Sequence, residues 1–341
     1  MAVEHPHDVP PRDDLPTAEA TGLRWQAATV DQLHNWAALI ARTAAVEHPA
    51  WFEKSGDLVH ILESTTNDAR INTLLGLDGD GVARAYGRII KNPDGDKATG
   101  MGCVDPGWQR RGIGSAVLAW QEARTIERFT ADAGSGHLAS PPRLRVRTEE
   151  QHRHQAVLLE SRGYAAVRWF NEMHRPLSIP LPLAPLPPGL QLRTLDSSLH
   201  EPVRLAHNDA FRDHWGSEPR DRESWRFTME EPTARHDWST VAIDTASGTV
   251  AGYQLASFDP DAAADRGFTE GYTELLGVRR EFRGRGIAQA LLADAMRRFA
   301  AAGMDMASLD VDSANPTGAL GLYVGMGYTP VNRSITWEKL L

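Results

Sequence analysis

The chain has 341 residues, 41% of them hydrophobic and 24% charged, with 36 Lys and Arg against 45 Asp and Glu for a formal net charge of −9. That length exceeds one ordinary domain and suits two, and the mix is globular, which excludes disordered and collagen-like chains. No run of 18 apolar residues is present to span a membrane, the single Cys103 can form neither an intrachain disulfide nor a Cys-cluster metal site, and the acid surplus argues against a nucleic-acid binder.

In chain order, residues 1–22 read as a polar, proline-bearing leader and not as a signal peptide, so a cytoplasmic protein is expected. A β-type run, Ala98 to Val104, leads into the loop Val104-Asp-Pro-Gly-Trp-Gln-Arg-Arg-Gly-Ile-Gly114. Ile113, Val117 and Trp120 then recur at helical spacing. An insertion at 133–142 precedes an alternating strand with Leu144 and Val146, and a helix follows that ends in Gly163-Tyr164. His152 and His154, two apart, do not share a helix face, so they are expected as a solvated face and not as a metal site.

The stretch 176–189 carries six prolines, which block helix and interior strand alike. Its leucines suggest a linker lying on protein surface. It divides a first domain, 23–175, from a second, 189–341, with 176–188 as the linker.

The second half repeats the order of the first. A β-type run over 272–278 enters Val278-Arg-Arg-Glu-Phe-Arg-Gly-Arg-Gly-Ile-Ala288, and a helix follows with Ile287, Leu291, Leu292 and Ala295 on one face. A strand with Leu309 and Val311 comes next, then a helix ending in Gly327-Tyr328 and a last strand. Two loops, helices, strands and Gly-Tyr endings in one order indicate an internal duplication.

A strand-to-helix loop of this composition suits a small polyanion. Uncapped helix N–H groups and the helix dipole favour an anion, glycines let the backbone approach phosphate oxygens, and arginines add charge. The loop lacks the Lys of a P-loop and the third Gly of a dinucleotide fingerprint, and it sits mid-domain. A diphosphate site with no metal requirement is expected.

Gln109-Arg110-Arg111-Gly112-Ile113-Gly114 and Arg283-Gly284-Arg285-Gly286-Ile287-Ala288 fit the Gln/Arg-x-x-Gly-x-Gly/Ala signature of the GNAT superfamily of N-acetyltransferases. Asn315-x-x-x-Ala319-x-x-Leu322-Tyr323-x-x-x-Gly327-Tyr328 strengthens the match. The chain after the leader resembles a tandem pair of that superfamily, similar to mycothiol-synthase-like actinobacterial acetyltransferases. The resemblance implies an α/β fold of two GNAT-like domains, each a mixed central sheet flanked by helices. It also implies acetyl-CoA as cosubstrate, with its pyrophosphate on the two loops, its pantetheine arm along Leu276, Gly277 and Val278, and a contact from Asn315. The first-half triplet is Gly102, Cys103 and Val104.

Amide formation from a thioester needs a polarised carbonyl, a neutral amine and a proton for the leaving thiolate. A backbone N–H of the strand can polarise the carbonyl. Tyr323 matches the family's proton donor, whereas the same count back from Gly163-Tyr164 reaches Leu159, and Gln151 stands for Asn315. The second half is therefore the expected enzyme, and the first a duplicate degenerate in catalysis that either still binds the cosubstrate or merely shapes the assembly. Glu274, in strand parity with Leu276 and Val278, is the candidate base, with Glu270 further along the same face. Asp213, His214, Trp215 and Glu218, between the first two helices of that half, are candidates to line the acceptor cleft. The expected reaction is acetylation of a primary amine on a small molecule of aminosugar, antibiotic or polyamine type. Alternatives are a cysteinyl aminosugar acceptor and a non-catalytic acyl-CoA-binding regulatory module. The expected partner is the amine alone, without nucleic acid, membrane or metal, on a monomer or homodimer.

Overall fold

The computed structural model describes residues 15–49, 51–93, 95–133, 141–314 and 318–341. The insertion at 133–142 and Asn315 fall wholly or largely outside the described residues. The chain forms two compact units: one runs to Val167 and takes back Ile335–Leu341, and the other is Arg168–Ser334.

The first unit contains α1 (Ala18–Thr21), β1 (Arg24–Gln26), α2 (Leu33–Glu47), α3 (Ser55–Glu63), α4 (Ala69–Asn72), β2 (Thr73–Leu77), β3 (Ala83–Ile90), β4 (Ala98–Val104), α5 (Ile113–Ala133), β5 (Arg143–Glu149) and α6 (Arg153–Ser161). Its strands run in the order β1-β2-β3-β4-β5. Pairing is antiparallel from β1 to β4, and β5 joins β4 in parallel after the α5 crossover. One face packs α2 and α3 through Trp36, Leu39, Leu58 and Tyr86, and the other packs α5 through Ile113, Val117 and Trp120. At the end of residues 1–22, Leu15 packs on the α5 cluster, and Trp25 Nε1 donates to the buried Thr21 hydroxyl at 2.9 Å.

The second unit begins inside β6 (Ala165–Pro176) and adds β7 (Leu190–Thr194), α7 (His200–Ala210), α8 (Arg222–Glu230), β8 (Thr240–Asp244), β9 (Val250–Ser257), α9 (Pro260–Arg266), β10 (Glu270–Val278), α10 (Ile287–Ala301), β11 (Met306–Asp312), α11 (Ala319–Gly325) and most of β12 (Thr329–Leu340). Its order is β6-β11-β10-β9-β8-β7, with β10 and β11 parallel across the α10 crossover. The apolar stripe of α10 (Ile287, Leu291, Leu292, Ala295, Met296, Phe299) is buried on one face of the sheet, each Leu or Phe contributing about 1.5–3 kcal/mol. Val203, Ala206, Trp225 and Met229 from α7 and α8 cover the other face.

Each unit is completed by a strand from the opposite half of the sequence. In the second, residues 170–176 of β6 pair antiparallel with β11. In the first, Trp337 joins the core with Leu144, Leu159 and Tyr164, its Nε1 donates to Thr148 Oγ1 at 2.9 Å, and Arg145 Nε donates to Glu338 at 2.7 Å. The proline-rich stretch lies on the second unit, with Leu177, Leu181, Ala184 and Leu186 packed on its core and Leu183 exposed.

Candidate active site in the second unit

The site starts from where strands part. β10 pairs with β9 along its length to Val278, but with β11 only from Glu270 to Thr273. Beyond Thr273 the edge of β10 that faced β11 has lost its neighbour, which leaves a slot lined by main chain. The first unit repeats this: β4 pairs with β3 to Val104 but with β5 only from Ala98 to Gly100.

The two strands differ by one residue. Val104 lies opposite Ala85, as Val278 lies opposite Gly252, so the triplets 102–104 and 276–278 correspond. β4 runs from Gly100 to Val104 in unbroken register, whereas β10 shifts register between Thr273 and Leu275. The extra residue is Glu274, which makes a β-bulge. The bulge also corrects the expected parity. Leu275 packs on the α7 side with Trp225 and Tyr253, while Leu276 and Val278 pack on the α10 side with Ile287 and Leu291. Glu274 does not share that second face. It is exposed, accepts a hydrogen bond from Ser257 Oγ at 2.6 Å and acts electrostatically on Arg220. Glu270 is engaged differently, at 2.9 Å from Arg266 in an ion-pair group with Glu172 and His174. The ligand-type atoms of those two carboxylates and that imidazole lie within 4.8 Å of one another, and the Arg266 guanidinium supplies the positive charge there.

At the slot mouth, Gly284 and Gly286 hold φ of 73° and 83°, a left-handed backbone that glycine adopts without strain. Nothing lies within 4 Å of a Cβ placed at either position, so the loop surface is open. Gly286 starts α10 with no side-chain cap, which leaves the first N–H groups facing outward. Arg283 braces the loop, donating to Val278 O at 3.2 Å and Ala210 O at 2.6 Å, and Arg285 lies over Phe282 at 5.6 Å. Ile287 and Ala288 begin the helix. In the first loop Gly112 has φ 79° and Arg110 φ 64°, and Arg111 stacks on Trp108 at 4.6 Å. There Gln109 donates to Val104 O at 3.4 Å and to Glu47 at 3.0 Å. Glu47 also receives Gln155 Nε2 at 2.9 Å and lies 3.4 Å from His154 Nε2, and its carbonyl is 2.8 Å from His152 Nε2. The two histidines thus meet at Glu47 and are not merely a solvated face.

Tyr323 is 8% exposed, edge-on to Tyr328 at a centroid distance of 6.0 Å, and burial raises its hydroxyl to about 12. The Tyr328 N–H donates to Tyr323 O at 3.0 Å, and in the first unit the Tyr164 N–H donates to Leu159 O at 3.0 Å. The same turn therefore carries a phenol in one unit and a buried leucine in the other.

The candidate acceptor residues lie in the turns between α7 and α8. Asp213 is ion-paired with Arg280, Trp215 lies under Arg168 at 5.2 Å, and His214 packs on Phe211 at 4.5 Å with its pKa lowered by burial and by Arg283. Glu218 is partly buried in the same turns. Reading the sequence missed a buried group beside the bulge. Tyr253 is opposite Gly277, and a Cβ on Gly277 would come within 2.5 Å of its ring. The Tyr253 hydroxyl is hydrogen-bonded to His207 Nδ1 at 2.6 Å, and burial, then Arg220 and His214, bring His207 down to about 3, so it is neutral at neutral pH. Residues 46 apart in sequence gave no local signal of that pair.

Residues 201–328 match the model of the acetyltransferase (GNAT) family. A mycothiol acetyltransferase of Thermobispora bispora is 30% identical over 261 residues, covering 75% of this chain and 79% of the relative. One of Thermomonospora curvata is 29% identical over 272 residues, 78% and 81% of the two chains. Among solved structures, a GCN5-related N-acetyltransferase from Sphaerobacter thermophilus aligns with TM-score 0.69 at 23% identity over 96% of each chain. A tandem GNAT protein from the clavulanic acid biosynthesis pathway aligns with TM-score 0.67 at 18% identity, over 93% of this chain and 98% of that one. The chain belongs to the acetyltransferase (GNAT) family and is an N-acetyltransferase with two copies of that fold.

Proposed function

We propose that the second unit transfers an acetyl group from acetyl-CoA to a primary amine of a small molecule, and that the first unit is a duplicate degenerate in catalysis. The observation that carries this reading is the one-residue difference between the two slots: β10 has the bulge at Glu274 and β4 does not. A bulge twists and re-aims the strand edge, here at the point where β11 departs. The cosubstrate would lay its pyrophosphate on Gly284, Gly286 and the start of α10, and its pantetheine arm along Leu276, Gly277 and Val278 as an added strand. Within the slot a main-chain N–H of the bulged strand polarises the thioester carbonyl, and such a donor acts mainly on the charge that develops in the transition state. Glu274, exposed beside the slot, draws a proton from the bound ammonium through water, which leaves a neutral amine to attack the thioester carbonyl. Tyr323 stays protonated at neutral pH and delivers its proton to the leaving thiolate. Leu159 has no proton to give.

The second reading is a cysteinyl aminosugar acceptor, favoured by relatives named mycothiol acetyltransferases that align over three quarters of this chain. Both readings are tested by incubating the protein with acetyl-CoA and a panel of aminosugars, aminoglycosides, polyamines and a cysteinyl glucosaminide while following free thiol. Amine-dependent thiol release is expected. Release that no amine accelerates above the buffer rate would overturn acetyl transfer to small amines.

A further inference from the structure

On the α7 and α8 side of the bulge one side chain carries a charge that, among the described residues, no carboxylate meets at ion-pair distance. Arg220 stands two residues before α8, and its main chain is clamped from α7. Its N–H donates to Asn208 Oδ1 at 2.9 Å, and its carbonyl accepts from Asn208 Nδ2 at 3.0 Å and from Arg204 Nη1 at 2.8 Å. So fixed, the guanidinium turns inward over the Trp225 ring at 5.9 Å and donates through Nη1 to Thr228 Oγ1 at 2.9 Å. Among the described residues that is its single side-chain hydrogen bond, and no carboxylate lies within 4 Å of it. Burial lowers its pKa, opposed in part by the Glu274 carboxylate nearby.

The other half-buried guanidiniums of this unit are engaged by carboxylates or by main-chain carbonyls, Arg175 by three carbonyls, Arg283 by two and Arg279 by one. Arg168 meets Asp312 at 2.8 Å, Arg266 meets Glu172 at 2.7 Å, and Arg298 meets Asp294 at 2.7 Å. The first unit has the opposite charge at the corresponding place. Two residues before α3 stands Glu53, buried, 2.6 Å from Arg88 Nη2 and accepting from the Tyr86 hydroxyl at 3.3 Å. Position 255, which corresponds to Arg88, is a leucine, and Tyr253 corresponds to Tyr86. One copy closes this corner with an internal ion pair, and the other leaves a half-buried guanidinium near Glu274 with no carboxylate at ion-pair distance. Leaving a guanidinium half-desolvated with most of its donors unused costs stability unless a ligand fills them. Its planar fork suits a two-oxygen anion.

We propose that Arg220 receives an oxyanion, carboxylate or phosphate, carried by the acceptor, so that the second unit acetylates small amines bearing an anionic group while their nitrogen faces Glu274. The proposal rests on the acetyl-transfer reading and narrows its substrate class. The test uses two matched pairs of amines, 4-aminobutyrate with butylamine and glucosamine 6-phosphate with glucosamine, on the full chain with acetyl-CoA. A charge-assisted pair predicts that the anionic member of at least one pair is preferred by roughly 10–100-fold in kcat/KM. In Arg220→Met the preference disappears through a higher KM for the anionic amine, and Arg220→Lys restores part of it. Arg226→Gln, which removes an exposed charge on α8, leaves the preference in place. Which pair responds distinguishes carboxylate from phosphate. Thermal shifts of the CoA-saturated protein with the same four amines separate the two levels of the reading. Arg220-dependent stabilisation by an anionic amine without any turnover would leave the anion site standing and remove acetyl transfer. Turnover with no anionic preference would do the reverse. Arg220→Met is expected to leave the apo protein as stable as the wild type or more so. A fall in its Tm of several degrees, or no binding by either anionic amine, would overturn the proposal.

Discussion

Deleting Glu274 isolates the bulge from the side chain it carries. In β10, Gly271 faces Phe299 of α10, Leu275 faces the α7 and α8 cluster, and Leu276 and Val278 face α10 again. With Glu274 removed, Thr273 and Leu275 become neighbours, and simple alternation still sends every apolar residue to the face it occupies now. The register then equals that of β4, a strand the fold already accommodates. The main loss to stability is the Ser257 hydrogen bond to Glu274, about 0.5–1.5 kcal/mol. For a unit of this size the Tm should fall by no more than about 6 °C. Catalysis should suffer far more. If the bulge aims the main-chain donor at the thioester oxygen, losing that aim costs about 2.7–4 kcal/mol, or roughly 10²–10³ in kcat. The reference is Glu274→Ala, which keeps the bulge and removes the carboxylate, so the deletion should turn over a further 10²–10³-fold more slowly. The assay is thiol release from acetyl-CoA with a free amine from the panel that the wild type acetylates, with circular dichroism to verify folding. A folded deletion variant as active as Glu274→Ala would refute a catalytic role for the bulge.

Three other expectations follow from the geometry. Tyr323→Phe should lower kcat by roughly 10² with KM for acetyl-CoA within a few-fold, and a wild-type phenol near 12 should give no alkaline fall in kcat below about pH 10; an unchanged kcat in a chemistry-limited assay removes Tyr323 from the mechanism. Gly286→Asp should abolish turnover by setting a carboxylate at φ 83° where phosphate would sit, whereas Gly112→Asp should spare turnover and remove the weaker of two acetyl-CoA equivalents seen by calorimetry, weaker because Glu47 is tied to that loop; one equivalent that persists in Gly112→Asp would make the first loop a structural relic. His207 is held at about 3, below its ordinary 6.5, so the unfolded chain binds the extra proton and stability rises with pH between about 3 and 6.5; His207→Asn should flatten that part of the Tm-against-pH curve, and an unaltered slope would assign acid sensitivity elsewhere.

The amino-acid sequence by itself determined whatever depends on short spacing. The duplication, both glycine-rich loops, the helices that follow them and the contrast of Tyr323 with Leu159 were legible, because a turn closing on Gly-Tyr fixes the residue four positions earlier. The triplets 102–104 and 276–278 could be aligned for the same reason. Tertiary structure decided the rest. The bulge at Glu274 appears only when β10 is registered against β9, since an extra residue in a strand has no signature until its partner is known. The exchange by which Trp337 enters the first core and the end of β6 enters the second unit reflects pairing between residues far apart in sequence, which local propensity does not encode. His207 and Tyr253, and Arg220 with no carboxylate to meet it, come together because α7, α8, β9 and β10 pack on one another. The chain carries those charges and hydroxyls as scattered letters, and only the packed sheet sets their separation, burial and electrostatic balance.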